Sequence, residues 1–112
     1  DNTYLTAPFL VETAGADAKK FIDAFKAKYK RDVDWMSANA YDAAGIVTEA
    51  IAKVGADRAK IRDYLAGLDS PEKGYKGVTG VNYFDGNGDC LKPAYVKVVK
   101  DGKFVPAERQ MN

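Results

Sequence analysis

The residues that come nearest to a chemical motif are the oxygen-bearing run Asp85-Gly-Asn-Gly-Asp89. Alternating Asp and Asn side chains open a calcium loop. A full loop of that class also needs Gly at its sixth position and a carboxylate at its twelfth, where this chain has Cys90 and Val96. The run therefore reads as a tight turn whose glycines accept positive φ. Tyr41-Asp42 offers an acid beside a phenol, but neighbouring helical residues point about 100° apart. With no activating partner in sequence, a structural hydrogen bond from either is favoured over acid–base work. Ser37 lacks the histidine that would activate it, because the chain contains none. Gly74, Gly77 and Gly80 neither form GxGxxG nor stand between a strand and a helix, so no phosphate cradle is implied. No catalytic residue, metal ligand or cofactor site is assigned.

Composition narrows the class further. The absence of histidine removes the commonest proton-transfer group near neutral pH and the commonest zinc ligand. Cys90 is the sole cysteine, which excludes an intrachain disulfide and any CxxC motif; it reads as a small turn or core residue. Lys+Arg total 17 against 16 Asp+Glu, a formal charge of +1, so no global field draws the chain to nucleic acid or to an acidic membrane surface. No apolar run approaches the ~20 residues of a membrane-spanning helix. At 112 residues the chain is the size of one domain or of a piece of one. Its first residues, Asp-Asn-Thr-Tyr, lack both Met and a signal-peptide layout, and a processed or excised piece of a longer chain is expected.

Residues 4–11 (YLTAPFLV) read as a strand, with Pro8 ending it or confining it to an edge. A helix is expected from Asp17, which is placed to cap it, with Ala18, Phe21, Ile22, Phe25 and Tyr29 on one stripe. Lys19, Lys20, Lys26 and Lys30 fall off the stripe as a solvated face. A second helix is expected over 37–54, turning Ala40, Ala43, Ala44, Val47, Ala50, Ile51 and Val54 to a core and stopping at Gly55. A third is capped by Asp57, carries Ile61, Tyr64, Leu65 and Leu68, and ends at Asp69-Ser-Pro71. The period then shortens: Gly77-Val-Thr-Gly80, residues 81–84 and the run 94–100 read as strands and turns, and Asp101-Gly102 is a strong hairpin signal. The order is strand, three helices, then two or three strands: an α/β chain whose sheet looks incomplete.

Four segments, in this order and spacing, carry a resemblance to a known family. They are Tyr4-Leu-Thr-Ala-Pro-Phe9 ahead of Phe21-Ile-Asp-Ala-Phe-Lys-Ala-Lys-Tyr29; Ala40-Tyr-Asp-Ala43; Gly77-Val-Thr-Gly80 with Phe84-Asp-Gly-Asn-Gly-Asp89; and Ala94-Tyr-Val-Lys-Val-Val99 with Asp101-Gly-Lys-Phe-Val105. Together they resemble the carboxy-terminal part of type I periplasmic solute-binding proteins of the branched-chain amino acid ABC transporter class. The resemblance spans nearly the whole chain, although family members are about three times longer.

The resemblance implies a partial Venus-flytrap lobe: residues up to about 11 as a second-lobe strand and hinge, about 12–92 in the first lobe, and 93–112 crossing back as a terminal hairpin. Two α/β lobes would close by hinge motion on a small amino acid. The protein would work outside the cytoplasm, in the periplasm or its equivalent, deliver its ligand to a membrane permease, and catalyse nothing. Near the cleft, Trp35 and Met36 would supply an apolar wall and Asn39 a polar contact; ordinary packing at a helix entrance is the competing reading of all three. A ligand-sensing domain of a receptor or regulator with the same fold is one alternative function. A small self-associating domain, paired into a homodimer through residues 4–11 or 94–100, is the other.

Overall fold

The computed structural model describes residues 1–111, apart from the Thr13 side chain. In chain order the elements are β1 (Tyr4–Ala7), one turn of 3-10 helix (Val11–Thr13), α1 (Ala16–Tyr29), α2 (Trp35–Val54), α3 (Arg58–Ala66), β2 (Tyr75–Gly77), β3 (Gly80–Asn82), β4 (Tyr95–Lys100) and β5 (Lys103–Pro106). Contacts divide the chain into two compact units, one formed by residues 1–38 with the chain from Pro93 onward, the other by Asn39–Lys92.

The first unit is built on a three-stranded antiparallel sheet in the order β1-β4-β5. Asp101 and Gly102, at φ 51° and 69°, form the β4–β5 connection. Two positive φ angles in a two-residue loop match the twist of the strands it joins. β1 pairs along the other side of β4, from Tyr4 opposite Val98 to Ala7 opposite Tyr95. The first strand thus finds its partner across most of the sequence, and β4 has a neighbour on each side. Of the two segments expected to offer an open edge for self-association, 94–100 does not. β1 also stops at Ala7, short of residue 11, because Pro8 follows and cannot donate to a ladder. Phe9 and Leu10 beyond it are buried with Val33, Val98 and Ala107. The Gln110 carboxamide accepts from the Val96 N–H at 2.9 Å and donates to the Val96 carbonyl at 3.0 Å, satisfying β4 where β5 has ended.

α1 starts at Ala16 with Gly15 as its cap residue, so Asp17 lies in the first turn and does not cap. Its carboxylate there still favours the positive end of the helix dipole. Ala18 is buried, while Tyr29 at the far end of the expected stripe is 54% exposed. Phe21, Phe25 and Tyr29 stack in a ladder at 5.9 and 4.7 Å between ring centres.

α2 begins two residues before the expected Ser37. Asp34 is the reason: its Oδ1 accepts the Ser37 N–H at 2.7 Å, the bond an N-cap side chain makes to the third residue of a helix. In the second unit the buried stripe is Asp42, Ile46 and Ala50, spaced four apart. Of the expected face, Ala50 is buried, whereas within this chain Val47 and Ile51 are 43% and 42% exposed and Ala40, Ala43 and Ala44 are exposed as well. A carboxylate that binds a loop, rather than the count of apolar residues, sets the rotation of this helix. α3 is capped as expected, Asp57 Oδ1 accepting the Lys60 N–H at 3.0 Å. It stops at Ala66, and the chain returns through a Phe84 N–H bond to the Leu68 carbonyl at 2.8 Å.

The Ser37 N–H and hydroxyl, with Arg31 behind them, hold the Asp34 carboxyl below its ordinary pKa. A depressed folded-state value means the cap's contribution is whole above about pH 4, the unfolded value, and is lost as pH falls through the folded one. Hydrogen-exchange protection of the Ser37 amide, corrected for intrinsic rate, is expected to drop over that acidic range and to show no such step in Asp34→Ala.

Candidate functional site

The second unit is organised around one buried carboxylate. Asp42, 1% exposed, projects from α2 into the hairpin made by β2 and β3. The two-residue loop Val78-Thr79 presents both of its N–H groups to Asp42, at 2.8 and 2.9 Å. The Thr79 hydroxyl and the Asn82 carboxamide nitrogen, the latter at 3.1 Å, also donate to it. Four donors match the roughly four lone-pair sites of a carboxylate. Gly77 makes the approach possible: a Cβ there would lie 2.3 Å from the Asp42 carboxyl carbon.

A cation completes the cluster. The Lys92 ammonium donates to the Thr79 hydroxyl and, at 2.9 Å, to Asn39 Oδ1. Thr79 thus receives from Lys92 and donates to Asp42, relaying positive charge toward the buried anion, which would otherwise be costly to hold out of water. Partial burial lowers the Lys92 pKa, opposed by the nearby Cys90 and Asp42. Asn39 and Asp42 are three residues apart on α2 and so share a face. The arrangement binds and orients; no water-accessible acid–base pair arises from it.

The residues selected from sequence lie at the start of α2. Trp35 and Met36 are 51% and 58% exposed. Trp35 lines a groove of about 450 Å³ in the first unit with Leu5, Phe9, Val33, Lys97 and Phe104. Asn39 is half-buried, its carbonyl oxygen held by Lys92. Asp42 fits the structural hydrogen-bonding role given to Tyr41-Asp42, although its depth and its four donors exceed that expectation. Lys92 was not singled out. The available signal was an acidic residue within an alanine-rich helix, together with two glycines framing a two-residue loop that carries a threonine. The Asp85 carboxylate serves its own turn, accepting the Asn87 and Asp89 N–H groups at 2.9 Å each, with Gly88 at φ +87°. Cys90 is exposed rather than part of a core.

Comparison with known proteins agrees with this architecture. The family model described as periplasmic binding protein matches residues 1–103, and the chain belongs to that family. Its fold is the partial α/β lobe that the resemblance implied. The leucine binding protein LivK of Thermotoga maritima is 29% identical, with a TM-score of 0.82 over 100% of this chain and 31% of that one. LivJ of Streptococcus pneumoniae, solved with isoleucine, is 30% identical, with a TM-score of 0.77 over 96% of this chain and 29% of that one. The ABC transporter substrate-binding protein of Desulfitobacterium hafniense, solved with Leu, is 26% identical, with a TM-score of 0.82 over 96% and 31%. The chain therefore spans about a third of the length of these structures. No curated protein matched the sequence. No helix among the described residues is long and apolar enough to cross a membrane.

Removing the Asp42 carboxylate strands its four donors. Asp42→Ala is expected to destabilise the protein by about 3 kcal/mol in urea denaturation, within the usual cost of breaking a buried charged network. Gly77→Ala, which forces a methyl group against the same carboxylate, is expected to cost about 2 kcal/mol.

Proposed function

We propose that this chain forms the carboxy-terminal part of an extracytoplasmic solute-binding protein. The protein captures a branched-chain or similar aliphatic amino acid and hands it to the permease of an ABC transporter, without chemical conversion. The observation that carries this reading is the likeness to LivK and to two proteins solved with isoleucine and Leu, at 26–30% identity over at least 96% of this chain. In the whole protein, the compact unit of residues 1–38 with the chain from 93 belongs to one lobe and its hinge and residues 39–92 to the other, which moves the first crossing from the expected position near 11 to about 38. Trp35 and Met36 supply apolar contacts to the ligand side chain, and Asn39 supplies a polar contact. An exposed indole and thioether at the first turn of a helix are suited to such a wall, since both gain from leaving water and neither needs a charged partner.

The test is the product of the complete gene, titrated with leucine, isoleucine and valine and, for contrast, with lysine and glutamate. Saturation by an aliphatic amino acid at about a hundred times its Kd is expected to stabilise the native state by about 2.7 kcal/mol, read as a rise in Tm. Trp35→Ala is expected to weaken that ligand about tenfold, as loss of a buried aromatic anchor does. Indifference to all three aliphatic amino acids would overturn the choice of ligand class.

A further inference from the structure

Within the second unit, α3 is held on one side and open on another. Tyr64 joins it to α2 through a hydroxyl bond to Glu49 at 2.5 Å, and Leu68, just beyond its end, is buried. Ile61 and Leu65 stay half-buried and, spaced three to four residues from Arg58, Arg62 and Asp69, form one wall of a groove of about 890 Å³. Phe84 and the turn that follows it form the other wall. That wall is set before any partner arrives: the Phe84 N–H is bonded to the Leu68 carbonyl at 2.8 Å, and the Asp85 carboxylate ties the Asn87 and Asp89 N–H groups. The charges around the groove are unequally spent. Lys73 engages Asp69 at 2.9 Å, the N–H groups of its own turn engage Asp85, and Asp63 engages Arg62 at 2.7 Å. The Arg58 guanidinium has no ion pair or hydrogen bond among the described residues. What the groove lacks is an anion beside an apolar group. An apolar floor with a polar rim marks an interaction site, and arginine is over-represented among the residues that bind partners most tightly.

We propose that this groove docks the permease: an extracytoplasmic segment of the permease seats an aliphatic or aromatic side chain between α3 and the 84–88 turn and brings an Asp or Glu carboxylate to Arg58. Arg62 exchanges its exposed pair with Asp63, which is worth little in water, for the same anion. This rests on the transport role proposed for the whole protein.

The experiment uses the complete protein and its cognate permease–ATPase complex in lipid vesicles, with ATP hydrolysis followed as leucine-loaded protein is added. Arg58→Glu reverses the unpaired charge, and Ala66→Gln crowds the groove from an exposed position on α3. Both are expected to bind leucine as wild type does, and each to need about tenfold more protein for half-maximal stimulation. Arg58→Lys, which keeps the charge but not the fork of donors, is expected to lie between wild type and Arg58→Glu. Half-maximal stimulation by either Arg58→Glu or Ala66→Gln at the wild-type concentration would overturn the proposal. Occupancy is read separately by maleimide labelling of Ala66→Cys, with Cys90→Ser removing the exposed native thiol. Labelling is expected to be free in the complete protein and blocked by vesicles that carry the transporter. A thiol already blocked in the complete protein alone means that the rest of the chain fills the groove, and one blocked by vesicles without transporter means that lipid does; either result overturns the proposal. A wild-type protein that binds no aliphatic amino acid removes the transport reading, and the docking site falls with it. Leucine binding with no effect of either variant on stimulation removes the docking site alone.

Discussion

An ionised side chain withdrawn from water is tolerated only where the surrounding chain supplies donors, and Asp42 imposes that condition on everything near it. The β2–β3 loop must be two residues long and must turn both N–H groups inward. Residue 77 must lack a side chain. α2 must present Asp42 to the hairpin, which fixes the helix's rotation and leaves Val47 and Ile51 substantially exposed. Lys92 must return close enough to offset the charge through Thr79. Hydrophobic contacts such as Ile46, Ala50 and Leu68 add cohesion, but they are compatible with several rotations of an alanine-rich helix. The carboxylate is compatible with one.

The first unit depends on a different constraint. Its sheet joins residues from opposite ends of the sequence, so β1 is stable only once the β4–β5 hairpin exists to receive it. Asp101 and Gly102 make that hairpin local, with little loop-closure entropy to lose, whereas pairing β1 with β4 closes a loop of most of the chain. Gln110 completes the main-chain bonding of Val96 with a side chain, an economical way to end a ladder without a further residue pair.

Much of this was legible in the sequence where a signal is local. Asp57 as a cap, Asp101-Gly102 as a hairpin turn, the turn at 85–89 and the order of elements follow from residue chemistry within a few positions. What was illegible depends on partners distant in sequence. Asp42 is absent from the expected buried face of α2, although Ala50 belongs to it, because periodicity weighs alanine above aspartate, whereas Asp42 answers to residues nearly forty positions away. The pairing of β1 could not be found for the same reason. The start of α2 was missed by two residues because Asp34 read as part of a polar loop until its bond to Ser37 was seen. Lys92 carried no pattern at all: a single lysine before a proline acquires meaning only from what surrounds it.

Asp42 holds the hairpin and α2 together as one cooperative unit. Native-state hydrogen exchange of the Val78 and Thr79 amides measures this directly, because both N–H groups point at the carboxylate from a loop that would otherwise exchange rapidly. Both amides are expected to exchange only through global opening of the unit, with the same protection as the buried turns of α2. Exchange near the intrinsic rate of an unbonded loop amide would contradict such a hold.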